Sequence, residues 1–291
     1  MVLRKPIVNG QFYADGFEEL DKQIIDCFNS KFGPGDLPVE RSSRKVIHGV
    51  VSPHAGYQAS GPGAAWAYKE IAEAKFPSCF IMLGTDHRGL GLSQASTTLA
   101  EWETPFGIVK ADEGFAREIM GRCDFVKNDF KAHANEHSIE VQLPFLQFVN
   151  KDYLRKIKIV PLMISTHDLD TCRALGDTIA DISEDICVVA SSDFTHYGPS
   201  YGYTPFLNDK KENMYKLDNG AIDFIKKMDT KGFLEYLNKT KATVCGAGAI
   251  AVCMEIMKNL GIKKSSLLNY YTSGDILDDY TNAVGYAAMK F

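Results

Sequence analysis

The sequence has no excess of positive charge. It contains 32 lysine and arginine residues against 37 aspartate and glutamate residues, which gives a formal net charge of −5. Such a chain has no surplus of cations to neutralise the phosphates of a nucleic acid or the headgroups of an anionic membrane. We therefore expect neither nucleic acid nor a membrane to be the main partner.

The sequence also lacks the cysteine pattern of a disulfide framework or a zinc ribbon. Its seven cysteines are an odd number, and no two of them form a C-x-x-C pair. The first residues lack the apolar core of a secretory signal peptide. Unpaired cysteines are typical of a reducing compartment, so we expect a cytoplasmic protein.

What remains is a globular composition of 45% apolar and 24% charged residues over 291 positions. No low-complexity tract or charge block marks a boundary, and the punctuated segment 33–38 is short enough to join two elements of one domain. We therefore expect a single domain over residues 1–291.

Short β-branched runs alternate with helical patterns along the chain. Alternation of this kind, with nearly continuous apolar strands, predicts an α/β fold with a mainly parallel or mixed central sheet and helices on both faces. The predicted strands are 46–51, 79–83, 157–162, 186–190, 267–272 and 283–289. The predicted helices are 63–74, 169–182, 210–227, 230–238 and 246–259, together with one that Asp112 caps and that runs to Met120.

Three of the predicted strands lead into loops that carry a histidine, namely His54, His87 and His196. Ligands of open α/β sheets bind beyond the carboxyl ends of the strands, and imidazole is the commonest metal ligand. We expect His54 and His87 to approach one point from neighbouring strand ends. The candidates for a third ligand are Asp193, Glu136, His137 and a cysteine.

Cys245 is the cysteine best placed for this role, because it precedes a long apolar helical pattern. A thiol at a helix N-terminus is expected to have a lowered pKa, which favours the thiolate that binds metals.

Residues 133–137 match the H-x-x-E-H pattern of inverted zinc peptidases, in which both histidines share one helical face. Asn135 resembles the N-cap of a helix, which would leave His133 in the preceding loop, so a peptidase is disfavoured. We expect Glu136 and His137 to line the same pocket as the strand-end histidines.

With these motifs in view, the chain resembles the Memo family over nearly its whole length, through ordered motifs at comparable spacing. These are Gly10-Gln11-Phe12-Tyr13, Pro53-His54-Ala55-Gly56-Tyr57, Leu83-Gly84-Thr85-Asp86-His87, Glu136-His137-Ser138-Ile139-Glu140, Ser191-Ser192-Asp193-Phe194-Thr195-His196, Cys245-Gly246, Leu268-Asn269-Tyr270 and Gly285-Tyr286-Ala287-Ala288.

The resemblance implies a fold similar to that of class III extradiol dioxygenases of the LigB type, which are non-haem iron enzymes. It implies a divalent metal held by His54, His87 and Cys245, with His196 as the base and Asp193 as a further polar group of the pocket. Cys245 stands where the dioxygenases have a carboxylate ligand. Because a thiolate is a softer ligand, iron is the first expectation and copper and zinc remain alternatives.

These observations predict a metal-binding protein, with an iron-dependent oxidoreductase as the first functional hypothesis. A non-catalytic protein that binds a metal or a peptide in the same pocket is the second hypothesis, and a zinc-dependent hydrolase is the third. The sequence leaves the identity of the small-molecule or peptide ligand and the oligomeric state open.

Overall fold

Strands and helices alternate along much of the chain in the computed structural model, which describes residues 2–91 and 93–291. The strands are β1 (Leu3–Arg4), β2 (Gly49–Ser52), β3 (Cys79–Thr85), β4 (Ala95–Thr97), β5 (Glu101–Thr104), β6 (Gly107–Ala111), β7 (Val126–Asn128), β8 (Lys158–Ile164), β9 (Ile186–Ser191), β10 (His196–Tyr197), β11 (Ser266–Thr272) and β12 (Ala283–Lys290). The helices are α1 (Phe17–Asn29), α2 (Tyr57–Ala72), α3 (Glu113–Arg122), α4 (Phe130–Ala134), α5 (Gln142–Phe148), α6 (Leu169–Ile182), α7 (Lys210–Lys226), α8 (Thr230–Thr240), α9 (Ala247–Asn259) and α10 (Ser273–Leu277).

The strands form one mixed sheet, as the sequence predicts. Its centre consists of β8, β3, β9 and β2 in that order, and all four run parallel. Antiparallel pairs lie on both sides of this four-stranded centre: β12 pairs with β2, and β4 pairs with β8. The carboxyl ends of the four central strands therefore meet along one edge of the sheet.

Both faces of the sheet are covered by helices, and the alternation of side chains along each strand explains why. On β3, Ile81 and Leu83 belong to the core that packs against α6 and α9, whereas Phe80 and Met82 belong to the core on the side of α1, α2 and α5. Strands that are apolar on both faces lose contact with water only when both faces are covered. The predicted α/β fold is confirmed.

The predicted helix 169–182 agrees with α6, and Asp112 does cap α3, where its Oδ1 accepts a hydrogen bond from the Phe115 amide at 3.1 Å. Helix α2 differs, because it begins at Tyr57 and contains Pro62 instead of beginning at Gly63. The short strands β1, β4, β5, β6, β7 and β10 have no counterpart in the prediction, since two to five residues carry too little periodicity to be recognised.

Among the residues that the structure describes, no helix has both the length and the apolar character needed to cross a membrane.

Candidate metal centre

The loops after β2, β3 and β9 meet at the carboxyl edge of the sheet. The first two carry His54 and His87, and the third leads into His196, the first residue of β10. Strand β9 lies between β2 and β3. The expectation that His54 and His87 come from directly adjacent strands is therefore wrong, although both still reach the same region. The intervening strand β9 leads into Asp193, whose carboxylate accepts a hydrogen bond from the His54 backbone amide.

Three imidazoles form a compact cluster at this edge. Each of His54, His87 and His137 offers one ring nitrogen, and these three atoms lie within 4.8 Å of one another. The ring centroids are 5.2 Å apart for His54 and His87, 5.6 Å for His54 and His137, and 4.9 Å for His87 and His137. A set of nitrogens at these separations can hold one metal ion.

His137 is thus a member of the nitrogen cluster and not only a residue of the pocket wall. It follows α4 in a turn and is not at a helix start, because Asn135 is the C-cap of α4 and α5 begins at Gln142. The predicted N-cap role of Asn135 is wrong: its backbone amide donates to the His133 carbonyl, which closes the short helix.

His133 does not share a metal-binding face with His137. Its ring is fully buried, packs edge-on against Trp102, and lies 3.5 Å from the Ser96 hydroxyl. Burial lowers the pKa of His133 to about 4, which keeps the ring neutral. The geometry of an inverted zinc peptidase is therefore absent from segment 133–137.

The partner of each Nδ1 decides the tautomer of the ring. For His87 this partner is Oε1 of Glu136, which accepts a hydrogen bond at 3.0 Å, whereas Nδ1 of His137 lies 3.3 Å from the same oxygen in a charge contact and not a hydrogen bond. A carboxylate only accepts hydrogen bonds, so Nδ1 of His87 carries the hydrogen and its Nε2 keeps a free lone pair. Carboxylate-to-imidazole contacts of this kind are typical of metal-binding histidines.

Glu136 is buried and ionised. Burial disfavours its charge, but the hydrogen bond from His87 and the charges of His87 and His137 outweigh this effect and lower the pKa of Glu136 to about 2. Burial lowers the pKa of His87, but the hydrogen bond to Glu136 and the charge of Glu136 raise it by more. The pKa of His87 is therefore above its ordinary value.

His54 is the most deeply buried of the three rings, with 2% of its surface exposed. Burial and the neighbouring charges of His87, His137 and His196 hold the pKa of His54 well below its ordinary value. The ring therefore stays neutral at physiological pH, which is the state that a metal ligand needs.

The Sγ atom of Cys245 lies 3.1 Å from Nε2 of His54. Cys245 directly precedes Gly246, which is the N-cap of α9. The Asp193 backbone amide also donates to this sulfur, at 3.3 Å. The expectation of a lowered thiol pKa is wrong for the metal-free site: burial, followed by the charge of Asp193, raises the pKa of Cys245. The thiolate that a metal binds has to form when the ion itself arrives.

Gly246 permits this placement of Cys245. A Cβ atom at Gly246 would come within 2.5 Å of both the Ser191 carbonyl oxygen and the Ser192 Cβ. The start of α9 therefore lies directly against the end of β9, which brings the sulfur to the histidines.

His196 and Asp193 complete the surroundings of the cluster. The Nδ1 of His196 donates to the carbonyl oxygens of Phe194, at 3.0 Å, and Thr243, at 3.1 Å, which leaves its Nε2 lone pair free. The Asp193 Oδ1 accepts from the His54 backbone amide at 2.8 Å. Two backbone carbonyls therefore orient the ring of His196. Burial raises the pKa of Asp193, although the charge of His196 opposes this.

A buried ion pair between Arg4 and Glu140 supports the turn that carries Glu136 and His137. Arg4 also donates to the backbone carbonyls of His133 and Glu136. Glu140 accepts from the backbone amides of Ile7 and Val8 and from the hydroxyl of Tyr13. The N-terminal segment therefore fixes the turn. Patterns in the sequence did not indicate this contact, because the residues that make it are about 130 positions apart.

Comparisons with known proteins find relatives that match nearly the whole chain. A family model described as Memo-like protein matches residues 4–290. A MEMO1 family protein of Methanopyrus kandleri is 42% identical over 292 residues, covering 99% of this chain and 98% of the relative. A MEMO1 family protein of Nitrosopumilus maritimus is 39% identical over 292 residues and covers all of both chains.

Among solved structures, an uncharacterized protein from Escherichia coli K12 has a related fold. It superposes with a TM-score of 0.55 and 12% sequence identity, over 84% of this chain and 100% of the other. At this level of identity the likeness supports the fold alone.

Proposed function

The chain belongs to the Memo-like protein family, and from this premise we propose that it is an iron-dependent oxidoreductase whose metal is held at the carboxyl edge of the sheet. The observation that carries the proposal is the convergence of the ring nitrogens of His54, His87 and His137 within 4.8 Å of one another. We propose Cys245 as a further ligand, because its sulfur lies 3.1 Å from Nε2 of His54.

The donor set fits a divalent ion of the first transition series. Imidazole nitrogens suit iron, copper and zinc, and a thiolate adds a soft, electron-donating ligand. The Nδ1 atoms of His87 and His54 are already used in hydrogen bonds to Glu136 and Ser191, so these two rings have their Nε2 available. Because the hydrogen-bonded partners hold the rings in place, little rotational freedom is lost when an ion binds.

His196 is the proposed base. Its Nε2 lone pair is free, and the ring is close enough to His54 for its charge to lower the pKa of His54. When iron is bound, the centre supplies the redox chemistry. The role of His196 is to take a proton from the substrate, and the two carbonyls of Phe194 and Thr243 hold its ring in the necessary orientation.

A small aromatic molecule is the substrate class that we propose. The ring of Tyr201 packs edge-on against His196 at 5.1 Å and is 45% exposed, and the ring of Phe12 packs edge-on against His137 at 5.0 Å. The two aromatic side chains flank the imidazoles and offer surfaces against which a planar ligand can stack.

We place the protein in a reducing compartment such as the cytoplasm. All seven cysteines, each of which lies within the described ranges, are free thiols, and six of them are buried. Buried free thiols are typical of proteins that fold without disulfides.

The test is elemental analysis of protein purified without oxygen and without a metal-binding tag, followed by oxygen-consumption assays with a panel of phenolic compounds. We expect near-stoichiometric iron, and oxygen uptake that the His196→Ala variant loses while it retains its iron. Tight ligand binding without turnover would favour a non-catalytic role. Stoichiometric zinc with activity that does not depend on oxygen would favour a hydrolase. Either result would overturn the proposal.

A further inference from the structure

The hydroxyl of Ser191 occupies a position from which it can control the tautomer of His54. Ser191 is the last residue of β9, is 1% exposed, and its Oγ lies 2.9 Å from Nδ1 of His54. A serine hydroxyl can either donate to a neutral imidazole nitrogen or accept from it. The other partners of the hydroxyl decide between these two arrangements.

Two further contacts remove this ambiguity. The Ser191 hydroxyl lies 2.6 Å from the Ser138 carbonyl oxygen, which can only accept, so the single hydroxyl hydrogen is directed there. On another side, the Nε2 amide of Gln142 donates to the same oxygen at 2.8 Å. One lone pair of the hydroxyl remains, and it faces Nδ1 of His54.

The orientation of the Gln142 amide is fixed independently of Ser191. Its Nε2 also faces the carbonyl oxygen of Pro53 at 3.0 Å, whereas its Oε1 accepts from the hydroxyl of Tyr68 at 3.1 Å. The reverse orientation would place the amide oxygen against a carbonyl oxygen. Gln142 is therefore a donor to Ser191.

We propose that Ser191 is a positioning residue that holds His54 in its Nδ1–H tautomer and thereby presents the bare Nε2 nitrogen toward Cys245 and the metal site. The same hydroxyl joins His54 to the turn of Ser138, next to His137. One side chain thus links two of the three imidazoles of the cluster.

The consequence for metal binding rests on the proposed function, because it requires an ion at Nε2. An ion on Nε2 obliges Nδ1 to carry the hydrogen. Without the Ser191 oxygen, that N–H group would be buried without an acceptor, which is costly. We therefore expect the Ser191→Ala variant to bind metal about 10-fold to 100-fold more weakly, the range typical for loss of a group that orients a metal ligand.

The test is nitrogen-15 NMR of histidine-labelled full-length protein without metal, which separates protonated from bare ring nitrogens. In the wild type we expect His54 to carry its hydrogen on Nδ1, and in Ser191→Ala we expect a measurable Nε2–H population. Ser191→Thr, which keeps the hydroxyl, should restore the Nδ1–H form. Ser52→Ala is the matched control, since Ser52 is a buried serine of the adjacent strand whose hydroxyl has no hydrogen-bond partner within residues 2–91 and 93–291.

An Nε2–H wild-type ring would overturn the inference, and so would a tautomer population that Ser191→Ala leaves unchanged. Because this measurement uses the metal-free protein, it is independent of the proposed function. If the tautomer responds as expected but the wild type binds no metal, the proposed function fails and the positioning role stands.

Discussion

The sulfur of Cys245 and the Nε2 nitrogen of His54 lie 3.1 Å apart, although 191 positions separate the two residues in the sequence. Two ligand atoms of one metal ion, each about 2.0–2.3 Å from the ion, lie at a similar distance from each other. In the metal-free protein burial raises the pKa of Cys245, so the thiol keeps its hydrogen. An arriving ion would replace that hydrogen.

Replacement of Cys245 with serine should therefore weaken metal binding by about 10-fold or more, because a hydroxyl is a poorer ligand for these ions than a thiolate. The measurement is metal affinity by competition with a chelator. Cys253→Ser is the control, since Cys253 is fully buried within α9 and belongs to the apolar core. Equal metal affinity of the two variants would remove Cys245 from the ligand set.

Replacement of His137 with alanine distinguishes between two ligand sets. One is the set that the resemblance implies, His54, His87 and Cys245, and the other includes His137, as the cluster in the structure does. We expect a loss of metal affinity of about 10-fold or more, because one of the three converging nitrogens is removed. His48→Ala is the control, since His48 lies outside the cluster beside the start of β2. If His137→Ala binds metal as the wild type does, His137 only lines the pocket.

The Glu136→Gln variant should change the pH dependence of metal binding. Glu136 raises the pKa of His87, so in the wild type protons begin to compete with the metal at a pH above the ordinary histidine value of 6.5. Without the carboxylate this onset should move to lower pH. The affinity at pH 8 should fall about 10-fold, because the Nδ1–H group of His87 loses its charged acceptor.

Metal affinity measured from pH 5 to pH 8 checks this prediction, with the exposed Glu184→Gln as the control. An onset that stays in place or moves to higher pH would contradict the role assigned to Glu136.

The Arg4→Met variant should unfold more easily by about 3–5 kcal/mol, because it leaves the charge of Glu140 buried without its partner. Urea denaturation measures the difference. Arg117→Met provides the comparison, since Arg117 pairs with Glu113 on the exposed face of α3 and should change the stability by less than about 1 kcal/mol. Similar effects of the two substitutions would show that the N-terminal segment does not depend on the buried pair.

The sequence predicted the fold well where the elements are long. Helix α6 and the central strands have strong periodicity, so their positions and the mixed α/β sheet followed from the pattern. The start of α2 did not follow from the pattern, because the glycines and Pro62 in its first turns are typical of a loop. The short strands between Ala95 and Ala111 depend on pairing with distant strands, which local patterns do not reveal.

The site was predictable in part. Histidines after strand ends pointed to His54 and His87, since the topology of a parallel sheet brings strand ends together. The position of His137 depends on a turn that Arg4 and Glu140 stabilise across the fold, so its place in the cluster could not be derived from spacing. The roles of Ser191 and Gln142 depend on which atoms face one another, and a sequence contains no such information.

The most direct measurement is an anomalous difference map from crystals of the protein purified without oxygen, recorded at the absorption edge of the metal found by elemental analysis. We predict one peak bound by Nε2 of His54, His87 and His137 and by Sγ of Cys245, at distances of about 2.0–2.3 Å. A peak at any other place in the protein, or a fully loaded protein whose metal contacts none of these imidazoles, would contradict the account.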